Sequence, residues 1–215
     1  MNNLTRFCLV RHGETSWNAE RRMQGHTDID LNQRGQEQAA QLATALKQSG
    51  LHFDLLYTSD LLRAADTGKA VAQALNLKAI ATPTLRERHY GALQGMKIDE
   101  APQLQPYIWK AYCERHPNHE LDGGESIMQF ANRVNSALNE LKNRHTGKTI
   151  MVVAHGGVLE TIHRFVSKQS LFTERTVSVP NASLNWISHN GNEWSIERWA
   201  DTSHLNTVAL NHLEN

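Results

Sequence analysis

Two short apolar runs each end in a histidine followed by glycine. Phe7-Cys8-Leu9-Val10 leads into Arg11-His12-Gly13-Glu14-Thr15, and Thr149 to Ala154 leads into His155-Gly156-Gly157. Such runs read as buried strands. Parallel strands of one sheet bring their carboxyl ends to a shared edge, where open α/β sheets place ligands. Both imidazoles can then face one pocket despite their separation in sequence. Arg11 lies beside the first, and Arg63 opens the helix expected after a second strand, at the same edge. Helix N-termini after the second and fourth strands are expected to aim N–H groups at that edge. Two guanidiniums, two imidazoles and helix N-termini together make an anion site, and the fork of arginine suits a phosphoryl group.

A histidine among such cations is kept neutral, because neighbouring positive charge disfavours its protonation. It can then attack phosphorus while the arginines neutralise the equatorial oxygens. The leaving oxygen still needs a proton. Glu87, at the start of a charged, glycine-containing stretch, is the candidate donor. A carboxyl beside a bound phosphate dianion resists ionisation, so it can carry that proton and later accept one from an attacking water.

Several elements must position these groups. A helix is expected from Asn32, a good N-cap, to Gln48, with Ala39, Leu42, Ala43 and Leu46 on its apolar face. Phe53 to Thr58 reads as a strand, and Ser59 is expected to cap a helix whose apolar face is Leu61, Leu62, Ala65, Ala72 and Leu75. Lys78 to Thr82 is a short strand closed by Pro83, and Leu85 to Gly95 has no regular period. Residues 96–122 carry three prolines and several aromatics, with a short helix expected at 107–115, and read as a lid or cap. Ser126 and Gln129 form a capping box ahead of an amphipathic helix bearing Ile127, Phe130, Ala131, Val134, Leu138 and Leu141. After the second apolar strand comes a helix over Val158–Val166, and then a hairpin, 184–188 and 194–199, turning at Asn190-Gly191. The order predicts one domain over 1–215, a three-layer α/β/α sandwich around a mostly parallel mixed sheet.

The 215 residues suit one core. Lys+Arg and Asp+Glu each total 22, so no net charge favours nucleic acid or an anionic membrane as partner. Cys8 and Cys113 make no disulfide framework. The N-terminus lacks the build of a signal peptide, no apolar run approaches the roughly 20 residues of a membrane span, and a cytoplasmic protein is expected. Oligomeric state is left open, with a homodimer among the allowed states.

The combination resembles the histidine phosphatase superfamily, which includes the cofactor-dependent phosphoglycerate mutases. The matching blocks are Leu9-Val10-Arg11-His12-Gly13-Glu14-Thr15 with Asn18, Ser59-Asp60-Leu61-Leu62-Arg63-Ala64 with Thr67, Leu85-Arg86-Glu87 with Gly91, Gly124-Glu125-Ser126, and Ala154-His155-Gly156-Gly157. The resemblance implies that His12 becomes phosphorylated and that Glu87 is the proton donor. Arg11, Arg63 and His155 would hold the phosphoryl group with Asn18 and the Gly156 backbone. It also implies a phosphoglycerate mutase-like fold with neither metal nor organic cofactor.

Within that family the chain is expected to be a phosphatase of small phosphomonoesters. Glu87 to Gly95 is mutase-like, but the mutases carry a longer insertion with adjacent arginines for the substrate carboxylate. Here residues 96–122 contain only Arg115. The mutases also place an asparagine where this chain has Gly157, and the Gln24-Gly25 loop resembles the phosphatase branch. Gln24, Gly25, Arg88, Tyr90 and Lys97 are expected substrate contacts. The runner-up is a mutase interconverting 2- and 3-phosphoglycerate, which would need 2,3-bisphosphoglycerate as cofactor. Two further readings are a metal site of His12, His155 and Glu87, which the adjacent arginines would repel, and a non-catalytic binder of phosphate esters.

Overall fold

The computed structural model describes residues 4–206. Six strands form one sheet: β1 (Thr5–Arg11), β2 (Leu55–Ser59), β3 (Ala79–Thr82), β4 (Thr149–Ala154), β5 (Leu184–His189) and β6 (Trp194–Asp201). Their spatial order is β3-β2-β4-β1-β5-β6. β1 to β4 run parallel, and β5 and β6 add an antiparallel margin beside β1.

The two apolar runs become the two central strands because both faces of the sheet are covered. Phe7, Leu9, Ile150 and Val152 point to one side, where they join Phe130, Val134 and Leu138 of α6 (Ile127–Arg144) and Val158, Leu159 and Ile162 of α7 (Gly156–Val166). Cys8, Val10, Met151 and Val153 point to the other, against Leu42, Ala43 and Leu46 of α2 (Gln33–Gln48) and Ala64 and Val71 of α3 (Leu62–Leu75). The result is the expected three-layer sandwich around a mostly parallel mixed sheet. A one-turn helix, α1 (Ser16–Ala19), follows β1 and is closed by a Thr15–Asn18 capping box. Within 96–122 lie α4 (Ala101–Leu104) and α5 (Pro106–Cys113), so helix starts earlier than the expected 107. These two pack over their own small core of Met23, Tyr90, Leu93, Ile98, Ala101, Tyr112 and Leu121. Among the described residues no helix is long and apolar enough to cross a membrane.

Two local expectations change. Ser59 is the last residue of β2 and does not cap α3; the Leu62 amide instead donates to Asp28 Oδ1 at 2.7 Å, a carboxylate delivered by the loop after α1. The buried stripe of α3 is Arg63, Ala64, Thr67, Gly68 and Val71, while Leu62 is 42% exposed. Tertiary contacts, with Gly68 against Thr58, override the purely apolar stripe. Gly13 and Gly35 also meet closely: a Cβ on Gly13 would stand 2.5 Å from the Gly35 carbonyl oxygen, and one on Gly35 would stand 2.0 Å from that of Glu14. Glycines on both sides let the first turn of α2 press backbone to backbone on the His12 loop. The Asn32 cap, whose Oδ1 accepts from the Gly35 amide at 2.8 Å and whose Nδ2 donates to Glu14 Oε1 at 2.9 Å, holds that contact.

Gly35→Ala gains about 1 kcal/mol in helix propensity, but a Cβ inside a backbone carbonyl costs more, toward the upper end of the roughly 1–3 kcal/mol of overpacking. A lower midpoint in thermal unfolding is expected, and an unchanged or higher midpoint would show that the contact yields freely.

Candidate active site

β1 pairs with β4 so that Arg11 stands opposite Ala154, and the next amide, His12 N, donates to Ala154 O at 2.9 Å. His12 and His155 therefore leave neighbouring strands side by side. Their rings lie 5.2 Å apart, centroid to centroid, and both are buried. A second tie fixes the turn: the Gly13 amide donates to Thr67 Oγ1 at 3.0 Å, and that hydroxyl donates to Arg63 O at 2.7 Å. The His12 loop and the first turns of α3 are thus one unit. Asn181, in the connection before β5, donates to His12 O at 2.9 Å.

His12 Nδ1 lies 2.6 Å from the Gly13 carbonyl oxygen. A carbonyl only accepts, so Nδ1 carries the hydrogen and Nε2 presents its lone pair. Burial, Arg63 and Arg11 hold the His12 pKa well below the usual histidine value, outweighing the Gly13 hydrogen bond. His155 is lowered likewise by burial, Arg63, His12 and Arg11. Neither ring nitrogen of His155 has a hydrogen-bond partner among the described residues, although the residue is 0% exposed. Buried polar atoms rarely go unpaired, so this marks a place where a ligand belongs.

The guanidiniums are aimed by backbone carbonyls. Arg11 Nη1 donates to Val179 O at 2.7 Å. Arg63, 1% exposed, donates to Thr27 O at 3.0 Å and Gly25 O at 2.7 Å. Its place in the first turn of α3 therefore needs no solvent. Asn18 is oriented by its Oδ1, which accepts from the Thr15 amide at 3.1 Å.

Glu87 reaches in from the irregular stretch. Its Oε2 accepts from the Gly157 amide at 2.8 Å and its Oε1 from the Arg88 amide at 2.8 Å. Gly157 is essential to this approach, since a Cβ there would stand 2.3 Å from Glu87 Oε1. Arg133 clasps the backbone behind it, donating to the carbonyls of Thr84 (3.0 Å), Arg86 (2.9 Å) and Glu87 (3.1 Å) while its other edge holds Glu125. His26 Nε2 also donates to Glu87 O, at 2.8 Å.

A cavity of about 10 Å³, room for one water-sized group, is lined by Arg11, His12, Asn18, Arg63, Glu87, Tyr90, Gly156, Gly157 and Arg175. His155 is not among the lining residues, and its ring centroid stands 5.2 Å from that of His12. Of the expected substrate contacts, only Tyr90 lines it. Gly25 serves through its carbonyl on Arg63, and Gln24 is buried beside it. Arg88 turns away, donating through Nε and Nη2 to Glu125 O at 3.0 and 2.8 Å. Lys97 is a surface residue, 3.6 Å from Glu100. The helix N-termini also differ from expectation. Asp28 takes the first amide of α3 and Glu87 the second of α7, that of Gly157, so a protein carboxylate accepts one first-turn amide of each helix. Among the described residues no group of three His, Cys, Asp or Glu has metal-holding geometry.

Sequence reading missed Arg175, Arg133 and Asn181. Arg175 and Asn181 sit in the aperiodic connection 167–183, where only the fold shows what each faces. Arg133 lies on the polar side of α6, where an arginine ordinarily meets solvent.

A profile of the histidine phosphatase superfamily (branch 1) matches residues 7–202. A metal-independent phosphoserine phosphatase of Arabidopsis thaliana is 37% identical over 211 residues, covering 97% of this chain and 87% of its own. Phosphoglycerate mutase-like protein 4 of the same plant is 36% identical over 202 residues, covering 93% and 86%. Among solved structures, a mycobacterial glucosyl-3-phosphoglycerate phosphatase superposes with a TM-score of 0.81 at 26% identity, covering 93% of this chain and 100% of that one.

The His12 ring should titrate below 6.5 in an NMR pH series on the protein without phosphate. Replacing Arg63 by Met removes one of the charges that hold it down, so its midpoint should rise. A wild-type midpoint at or above 6.5, or no rise in the variant, would contradict the electrostatic account.

Proposed function

The chain belongs to the histidine phosphatase superfamily, and we propose that within it the protein hydrolyses small phosphomonoesters through a phosphohistidine on His12. The observation that carries this is the arrangement around His12. Its Nδ1 is fixed to the Gly13 carbonyl, and its Nε2 is left to react among Arg11, Arg63 and the bare nitrogens of His155.

The steps follow from the residues. Arg11, Arg63, Asn18 and the Gly156 amide bind the phosphoryl oxygens, and His155 donates to one of them. His12 Nε2 attacks phosphorus as the ester P–O bond breaks, and Glu87 protonates the departing oxygen. Water then attacks the phosphohistidine, giving its proton to Glu87, and the P–N bond breaks to release inorganic phosphate. The arginines stabilise charge on the transferring group, the largest contribution such sites make. No step needs a metal or organic cofactor. The expected partner is a small phosphorylated metabolite, in the cytoplasm.

Hydrolysis is favoured over isomerisation by the contact between Glu87 and Gly157. It puts the proton-transferring carboxyl against the phosphoryl site from the side of α7, where it can serve an incoming water. A side chain at 157 would displace it. A mutase must instead protect the phosphohistidine while its substrate turns over, and 2,3-bisphosphoglycerate would then be required.

The test follows 3-phosphoglycerate with the purified protein, measuring phosphate release beside 2-phosphoglycerate formation. Phosphate release should dominate, acid quenching should trap an acid-labile phosphoprotein, and His12→Ala should show neither. Faster isomerisation than release would overturn the phosphatase reading.

Glu87→Gln and Gly157→Ala should resemble each other, the first removing the proton and the second moving the carboxyl. Both should slow alkyl phosphates more than nitrophenyl phosphate, whose leaving group needs no proton, with losses of about 10²–10⁴-fold on the poor leaving group for Glu87→Gln. Equal slowing of both substrates would remove Glu87 from the acid role.

A further inference from the structure

The loop 24–28 carries none of the reacting groups, yet it meets the supports of two of them. Its carbonyls at Gly25 and Thr27 accept from the two terminal nitrogens of Arg63, at 2.7 and 3.0 Å. Its Asp28 carboxylate accepts the first amide of α3, one residue before Arg63. One short segment therefore holds Arg63 both by its side chain and by its helix. His26 stands between the two carbonyls in sequence, and its ring reaches the backbone of Glu87, with Nε2 at 2.8 Å from Glu87 O. A carbonyl only accepts, so Nε2 carries the hydrogen. The support of the phosphoryl-binding cation and the support of the proton donor thus meet in one residue.

Several further bonds seat the loop for this contact. The His26 amide donates to Gln94 Oε1 at 2.8 Å, and the same oxygen accepts from the amide of Tyr90, a wall of the phosphoryl cavity, at 3.3 Å. That oxygen would stand 2.2 Å from a Cβ on Gly25, whose φ of +51° also suits glycine. Backbone bonds from Gly95 N to Met23 O (2.8 Å) and from Met23 N to Met96 O (2.9 Å) fix the approach to the loop on the same stretch. The His26 ring meets His89 edge to face, with centroids 4.7 Å apart. Burial holds the His26 pKa below the usual histidine value, with the Glu87 carbonyl opposing and His89 adding to the fall. The ring is therefore neutral at pH 7 and acts as a hydrogen-bond donor rather than a charge. Arg133 ties the Glu87 carbonyl to α6, at 3.1 Å, whereas His26 ties it to the segment that holds Arg63.

We infer that His26 is a positioning residue that couples the grip of Arg63 on the phosphoryl group to proton transfer by Glu87, although it is not among the residues lining the phosphoryl cavity. This rests on the phosphatase reading above. Anion binding and acid catalysis should weaken together when the His26 bond is lost.

The experiment compares wild type with His26→Phe and His26→Gln. Two quantities are measured: the ratio of kcat/KM for glycerol 3-phosphate to that for nitrophenyl phosphate, and the inhibition constant of inorganic phosphate. Phenylalanine keeps a ring against His89 and removes the donor. Glutamine gives up the ring and places an amide nitrogen the same number of bonds from the backbone as Nε2. His26→Phe should lower the ratio and raise the phosphate constant, each by about 3- to 10-fold, the equivalent of one hydrogen bond. His26→Gln should recover most of both. In a Glu87→Gln background, His26→Phe should leave the ratio where Glu87→Gln alone puts it, because both changes act through one group, while the phosphate constant still rises. Loss of folded protein cancels in the ratio and does not alter an inhibition constant. Equal slowing of both substrates, an unchanged phosphate constant, or a further fall of the ratio in the double variant would each overturn the coupling. Failure of wild type to release phosphate from nitrophenyl phosphate would instead sink the parent phosphatase reading, and this role with it.

Discussion

The parallel pairing of β1 with β4 is the constraint from which the site follows. Placing Arg11 opposite Ala154 sends His12 and His155 out of adjacent strands at the same level. No residue near either histidine in sequence could do this. The pairing is secured by side chains far from the chemistry, the alternating Phe7/Leu9 and Cys8/Val10 faces that bury into different layers. A shift of one residue would exchange those faces, and with them the positions of both imidazoles.

Around that pair, the way each cation is held decides what it can do. Arg11 and Arg63 donate to the carbonyls of Val179, Thr27 and Gly25. A carbonyl fixes a guanidinium without cancelling its charge, so the positive field remains for a phosphoryl group and keeps His12 neutral. Arginines with architectural tasks are treated differently. Arg86 pairs with Asp60 at 2.6 Å and Arg133 with Glu125 at 2.7 Å, and their charge is consumed locally. Arg88 shows that the rule has two parts: it too is held by a carbonyl, that of Glu125, but it is not among the residues that line the cavity.

Glu87 is placed by a different logic. It has no regular secondary structure to aim it, so the aim comes from outside: Arg133 and His26 on the backbone, two amides on the carboxylate, and the missing side chain at Gly157. The Arg133–Glu125 pair thereby ties α6 to the backbone that carries Glu87. The same economy recurs at Gly13 and Gly35, where two absent side chains let α2 brace the nucleophile loop.

Much of this was legible in the sequence. The apolar runs at 7–10 and 149–154 read as buried strands, and histidine-glycine at both ends gave the pair of imidazoles. The Ser126–Gln129 capping box and the stripe behind it determined where α6 begins and which face it buries. What the sequence could not carry were the acceptors and neighbours supplied from a distance. The α3 cap came from Asp28 rather than Ser59, because a loop carboxylate on an amide is reached only once the chain has folded back. Arg88 and Lys97 sit near the right motifs but bond elsewhere, to Glu125 O and beside Glu100, since nothing in a motif says which way a side chain turns at an irregular stretch. Arg175 lies in a connection without period or signature, and only the fold places it at the wall of the His12 cavity. Residue types and their order along the chain determined the chemistry at His12. Tertiary structure alone decided which guanidiniums keep their charge, because that depends on whether a carbonyl or a carboxylate from another segment meets them.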